Sequence, residues 1–415
     1  MRKHVERIRR GGLLLAVLVS TGGVLAAQEA PAGDRAAGPE PQFTLIGDVS
    51  QIYHATAQEW SSSPGMAWQF ATDLKPKFTY GPVVFVADTT WQVPLTASLS
   101  PASALATVYE AYFRVTAAPG LDLTFGQKHY NLGVGQLFTV GDSINPATGF
   151  FDQKTGFRGV TAEWSPNSST SVSAALSTEN SDLTGAGQVS LLLDKLQLTG
   201  SLVADGTQAQ TFNPAVGASY DVFGIILTAE GAAEFLPRGL VPTEANPATW
   251  SAPATWTDPA LSVSAGARYT FTIGDFDYTV SGQYLHWGQG WTTAESNDWN
   301  SDVGSPVPAI RALAVQARLA SPVRGQENAF LQLSAVSGTT WNFSGLGVMD
   351  LQDHSVIGQA QAAWDPWDNV EFALMFLFAE GDSGTSYQYL PPDPLLGLTA
   401  LQSRYQVSFS TTYHF

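Results

Sequence analysis

The sequence predicts an all-β fold: a transmembrane, antiparallel, up-and-down β-barrel of about 18 strands, with 16 or 14 as the other admissible counts. Three observations carry this. Charged residues make up 13% of the chain, about half the usual quarter of a soluble domain, while mean hydropathy is close to zero. Beyond residue 27 the chain holds no apolar run of about eighteen residues, the length a membrane helix needs. Apolar and polar residues instead alternate with a period of two, which gives each segment one greasy and one wet face.

The chain opens on MRKHVERIRR, basic, followed by the apolar GGLLLAVLVSTGGVLAA. That layout is a secretory signal peptide over residues 1–27, with cleavage after Ala26 or Ala27. Without its five basic residues and one acidic residue, the chain keeps 14 Lys and Arg against 35 Asp and Glu, a net of about −21. Such a balance argues against nucleic acid as a partner. No cysteine is present, which removes disulfides, thiolate metal sites and a lipidated anchor. Residues 28–41, QEAPAGDRAAGPEP, lack periodicity and form a flexible periplasmic tether to a barrel over residues 42–415.

The alternation gives candidate strand starts near residues 42, 65, 81, 104, 121, 155, 169, 186, 196, 212, 224, 260, 275, 309, 327, 353, 368 and 400. The stretch 186–236 and the segment TWNFSGLGVMD alternate least clearly. Short connections (TYGP, AAPG, SPNSS, LDK, DVFG, TIGD, PVRGQEN, DPWDN) trade places with long ones at 129–154, 237–259, 288–308 and 381–399. Short periplasmic turns and long extracellular loops are the pattern of outer-membrane barrels. Trp68, Trp91, Tyr109, Phe113, Trp164, Tyr269, Tyr278, Tyr284, Trp364 and Phe372 all fall in the outward phase, many near strand ends where aromatic girdles meet headgroups.

The last strand, SRYQVSFSTTYHF, pairs with the first if the barrel closes. Its Tyr405, Val407, Phe409, Tyr413 and Phe415 resemble the carboxy-terminal assembly signal of bacterial outer-membrane barrels, and the resemblance implies recognition by the barrel-assembly machinery. The segment FGQKHYNLGVGQLFTVGDSINPATGFFDQKTGFRGV is similar to a stretch of several outer-membrane barrel families: Gly-Arg-Gln, then Trp-Gly-x-Gly, then Asp-x-x-Asn-Pro. Gly133, Gly135, Asp142, Asn145 and Pro146 are kept, whereas Gly126-Gln127-Lys128 and Leu132 depart from it. The third outer loop of porins folds inward, and the resemblance implies the same for 129–154.

Charged residues of the inward phase are costly in a dry core unless paired, and cheap where they line water. Eighteen strands enclose more space than side chains fill, so the interior is expected to be a pore for small hydrophilic solutes or ions. Asp142, Asp152 and Lys154 are the expected constriction charges. Glu110, Arg114, Asp122, Lys128, Arg268, Arg318 and Arg404 are the expected pore wall, its basic members opposing the loop. The acidic balance leans toward cations. A sugar- or carboxylate-specific transporter is the alternative. Trp287, Trp291 and Trp299, with Tyr284, Trp250 and Trp256, offer rings for sugar faces, but only Trp287 is in the inward phase. An outer-membrane hydrolase is weaker still. GDSI at Gly141–Ile144 has no Asp-x-x-His partner, since Leu351 stands three residues before His354. The histidines, His414 included, show no metal-ligand spacing, so neither cofactor nor metal is expected. The expected partners are outer-membrane lipid, the assembly machinery and small hydrophilic solutes; a homotrimer follows only from analogy with porins.

Overall fold

Strand ends fall where turn residues force them. The two-residue turn at Phe223-Gly224 has φ of 53° and 82°, the left-handed geometry that matches the twist of a tight hairpin. Asp221 Oδ1 accepts the Gly224 N–H at 2.9 Å and fixes it. The computed structural model describes residues 40–57, 65–94, 105–135, 137–140, 156–179, 182–205, 211–235, 259–288, 290–292, 325–338, 340–381 and 405–415. Every regular element among them is a strand. They are β1 (Gln42–Ala57), β2 (Gly65–Tyr80), β3 (Val83–Pro94), β4 (Leu105–Ala118), β5 (Leu121–Lys128) and β6 (Phe157–Asn167). Next come β7 (Thr170–Glu179), β8 (Asp182–Leu193), β9 (Leu196–Asp205), β10 (Thr211–Val222), β11 (Ile225–Glu234) and β12 (Ala260–Ile273). The set ends with β13 (Phe276–His286), β14 (Glu327–Ser337), β15 (Trp341–Asp350), β16 (Val356–Trp367), β17 (Val370–Glu380) and β18 (Tyr405–His414).

Each strand pairs antiparallel with its chain neighbours, and β18 pairs with β1 from Asp48↔His414 to Ala57↔Tyr405. Gly47 and Phe415 exchange backbone hydrogen bonds of 3.1 and 3.0 Å at the end of that seam. The result is a closed 18-stranded antiparallel barrel with no free sheet edge. Turns after even-numbered strands span two or three residues, while the long intervals 129–156, 235–259, 287–326 and 381–404 all follow odd-numbered strands.

Cross-strand partners share a face, so exposure assigns both faces. Outward residues are large and apolar: Phe113 is 54% exposed and Leu261 60%. Near the short-turn rim, rings meet from strand to strand. Phe271 meets Tyr278 at 5.4 Å, Phe276 meets Phe343 at 6.2 Å, Trp341 meets Trp364 at 5.9 Å and Trp364 meets Phe372 at 5.9 Å. The belt reaches β18 through Phe372 and Phe409 at 6.4 Å. Leaving each such side chain in water forgoes about 1.5–3 kcal/mol, so this surface calls for an apolar solvent.

The strand total agrees with expectation, but one member was misplaced. Residue 309 lies outside the described residues, and β13 pairs directly with β14, so no strand lies between them in the sheet. The eighteenth strand is β15, which follows β14 through a turn at 338–340, and PVRGQEN covers the end of the interval 287–326 and the first two residues of β14 instead of a short turn. The reason is physical: over 345–348 the inward residues Leu346 and Val348 are apolar while the outward ones are Gly345 and Gly347, so the alternation is inverted there. Tyr109 also departs from the outward set. It is the extra residue of a bulge where Asp88↔Glu110 gives way to Thr89↔Val108.

Candidate functional site

The interior is organised by the segment that follows β5. His129 N–H donates to Glu110 Oε1 at 2.8 Å, which turns the chain at the top of the strand. The Tyr130 hydroxyl meets Ser173 Oγ of β7 at 2.9 Å, and burial raises its pKa above the usual phenol value. Tyr130 and Leu132 then bury against Phe157, Ala175, Ala186 and Val203. Gly133 (φ 84°) donates its N–H to Gln188 Oε1 of β8 at 2.8 Å. Any Cβ there would strike the Glu230 carboxylate and Thr139. Farther on, the Gln283 side chain of β13 accepts the Leu137 and Phe138 N–H groups at 2.9 and 3.0 Å and donates back to Phe138 C=O. Phe138 stacks on Phe330 at 5.9 Å. Val140 joins a cluster of Ala215, Ala232, Leu285, Phe330, Val348, Ile357 and Ala379, with Leu137, Phe138 and Trp287 packed against it. Ser173, Gln188, Gln283 and Phe330 all stand in the inward phase of their strands.

The wall from β18 through β1 to β6 is largely polar, and β16 and β17 join it at their short-turn ends through Asp365 and Glu371. Asp48, Asp73, Asp88, Glu110, Asp122, Glu163, Asp365 and Glu371 occupy inward positions there, against Lys75, Lys77, Arg114 and Lys128. Lys75 pairs with Asp88 at 3.4 Å, with side-chain exposures of 50% and 15%. Lys128 pairs with Glu163 and lies 6.0 Å from the Tyr112 ring centroid. Asp122 accepts the Thr116 hydroxyl at 2.7 Å, and Asp73 accepts that of Thr90.

Among the predicted wall residues, Glu110, Arg114, Asp122 and Lys128 share one sector of β4 and β5. Arg268 does not join them: it stands on β12, eight strands from Arg114 in a barrel of eighteen. Arg268 therefore stands apart from the other four, and Lys128 pairs with the neighbouring Glu163. Arg318 and Arg404 lie outside the described residues, as do Asp142, Asp152, Lys154 and the Gly141–Ile144 motif. Tyr405, Val407, Phe409, Tyr413 and Phe415 lie on β18 and its end; Val407, Phe409, Tyr413 and Phe415 are exposed, and Phe376 stacks on Tyr405 at 6.3 Å.

Sequence reasoning missed a group at the closing seam. His414 Nδ1 lies 2.6 Å from Asp48 Oδ1, and ligand-capable atoms of Asp365, Glu371 and His414 lie within 4.8 Å of one another. The four residues come from β16, β17, β18 and β1. Their chain separation hides them. The signal would have been to place the last strand beside the first and read the inward residues at the short-turn rim.

No family model and no curated protein matches the chain. Among solved structures it is similar to OccK8 (OprE) of Pseudomonas aeruginosa, with a TM-score of 0.50 and 10% identity over 90% of this chain and 98% of that one. A Rhodopseudomonas blastica porin mutant aligns with a TM-score of 0.43 and 10% identity over 90% and 100% of the respective chains. At such identities the first likeness speaks for the fold, and it agrees with the closed barrel.

Proposed function

We propose that the protein is a porin of the bacterial outer membrane, a passive diffusion channel for small hydrophilic solutes or ions. One observation carries the reading: the barrel is apolar and aromatic outside, while its inner wall from β16 to β6 carries charge on nearly every strand. Lipid suits the first surface and water the second. The contacts of residues 129–140 with inward side chains of β7, β8, β13 and β14 support a third loop that folds into the lumen and narrows it. The solute path then follows the charged sector opposite the loop. That sector holds more carboxylates than bases, which favours cations. Export through the leader of residues 1–27, insertion by the assembly machinery through the strand ending at Phe415, and assembly as a homotrimer complete the reading.

Purified protein in a planar bilayer under a potassium chloride gradient tests it. The expected result is discrete ohmic steps with a reversal potential on the cation side. Absence of steps overturns the channel, and an anion-side reversal overturns the selectivity. Peptide and phospholipid hydrolysis by the same preparation would favour an enzyme.

A further inference from the structure

We propose that the luminal end of the closing seam is a binding site for one first-row divalent metal ion, held by Asp365, Glu371 and His414. Three observations converge. The candidate ligand atoms of the three side chains already lie within 4.8 Å of one another. Bonds of about 2.1 Å set ligand atoms about 3 to 4 Å apart, so small rotamer shifts close the site. Next, the imidazole is oriented: its Nδ1 lies 2.6 Å from Asp48 Oδ1 of β1, which leaves Nε2 to bind. A carboxylate behind a metal-binding histidine fixes its tautomer and strengthens it as a ligand. The third observation is independent of the group's own contacts. Asp365 Oδ1 is shut off from solvent and has no hydrogen-bond partner. A buried carboxylate oxygen left this way costs free energy, and a cation relieves it.

The geometry that creates the group is local. Pairing of β16 with β17 shifts register between Trp364 and Trp367, at Asp365-Pro366, and the Asp365 N–H is held by Thr340 C=O at 2.9 Å. That irregularity brings Asp365 to its neighbour's Glu371, which stands opposite Thr412 on β18. His414 is 41% exposed, so an ion reaches the site from the lumen. Two carboxylates and one imidazole suit zinc, cobalt or manganese, and two carboxylates balance the charge of one such ion. A bound ion links β16, β17 and β18, and through Asp48 it braces the pairing of last strand with first.

The test is a titration of full-length mature protein in detergent after chelator treatment, with Zn2+ by calorimetry and Co2+ by visible absorption. The expected result is saturable binding of one ion per chain, with a rise in the unfolding midpoint on zinc addition. Glu371→Gln and His414→Gln abolish both effects, and Asp48→Asn weakens affinity by about 10- to 100-fold as a residue acting through the histidine. Should His414→Gln fail to assemble because it lies beside the terminal Phe415, Glu371→Gln and Asp365→Asn, which keep shape, decide. Absence of binding by the parent protein at millimolar metal overturns the proposal, and so does binding unchanged in the folded variants. None of these readouts depends on the barrel conducting, so failure here leaves the channel reading untouched.

Discussion

Along β1 to β6 the inward positions include Asp48, Asp73, Lys75, Asp88, Glu110 and Glu163; along β10 to β17 they include Ala215, Ala232, Leu285, Phe330, Val348, Ile357 and Ala379. Both sets face the inside of the same barrel. The difference lies in what covers them. Residues 129–140 pack their apolar side chains against the second set and touch the first at Glu110, which accepts the His129 N–H, so one part of the wall is a dry seat and the other a charged lining. An inward phase is therefore not polar by rule; its chemistry follows its neighbour. Phe330 at 4% exposure and Leu285 at 0% show how completely the seat is filled. Burying each such side chain contributes about 1.5–3 kcal/mol, which favours the seated loop.

The sharpest way to break the contrast is to keep the loop from its seat. Gly133→Val puts a β-branched side chain at φ 84° and drives Cβ into Thr139 and the Glu230 carboxylate. Even if the Glu230 carboxylate swings aside, the positive φ and the contact with Thr139 strain the β-branched residue, so the loop lifts and the dry half becomes wet. Single-channel conductance in a planar bilayer is expected to rise severalfold, with the barrel still folded by circular dichroism. An unchanged conductance would mean that the loop does not limit the path.

Gln283→Leu is a milder version of the same cut. It removes the acceptor of the Leu137 and Phe138 N–H groups and the donor to Phe138 C=O while keeping most of the apolar volume. Unsatisfied buried backbone groups cost about 1–3 kcal/mol each. The apolar seat remains, so the loop samples lifted states without leaving. The expected outcome is excess open-channel current noise with a small rise in mean conductance, read in the same bilayer. Noise equal to that of the parent would assign the seat to packing alone.

These two residues also show how far the sequence could be read. Gly133 stands out in the chain as part of a Gly-x-Gly pattern, and the positive φ and crowded Cβ supply the reason for it. Gln283 gives no such signal: it is one polar residue in a strand, and its partner lies 145 positions away. The barrel itself was legible because period-two alternation is local. On β15 the alternation fails because Leu346 and Val348 face the loop seat while Gly345 and Gly347 face outward, and the strand expected near 309 takes its place in the sequence reading. Charges behaved likewise. Their phase could be read from the sequence, but Lys128 with Glu163, and the distance of Arg268 from Arg114, depend on strand order and register. The seam group of Asp48, Asp365, Glu371 and His414 needs both ends of the chain at once.

On the wet half, Asp88→Asn paired with Glu110→Gln removes two neighbouring charges without changing shape; the two residues are direct partners across β3 and β4. Lys75 then loses its 3.4 Å partner and stands as free positive charge in the path. The reversal potential is expected to move toward the anion side at low salt and to move less at high salt, because screening shortens the reach of the wall charges. A reversal potential that stays in place would shift the selectivity to residues outside this sector.

The smallest expected effect is the most informative about the seat. Gly217 of β10 lies so near the loop that a Cβ built there sits 2.7 Å from Val134 Cγ2. Cysteines at both positions therefore place their Cβ atoms at a separation a disulfide can span, about 3.5–4.5 Å. The chain has no other cysteine, so Val134→Cys with Gly217→Cys forms a single defined bond. A loop that already rests on the dry wall loses little freedom when it is tied there. Conductance of the oxidised double variant is then expected to match that of its reduced form and of the parent. If the loop swings between seated and lifted positions, oxidation would silence the larger current levels and reduction would restore them. In that case the dry half would be a gate, and its apolar lining would be one state of two.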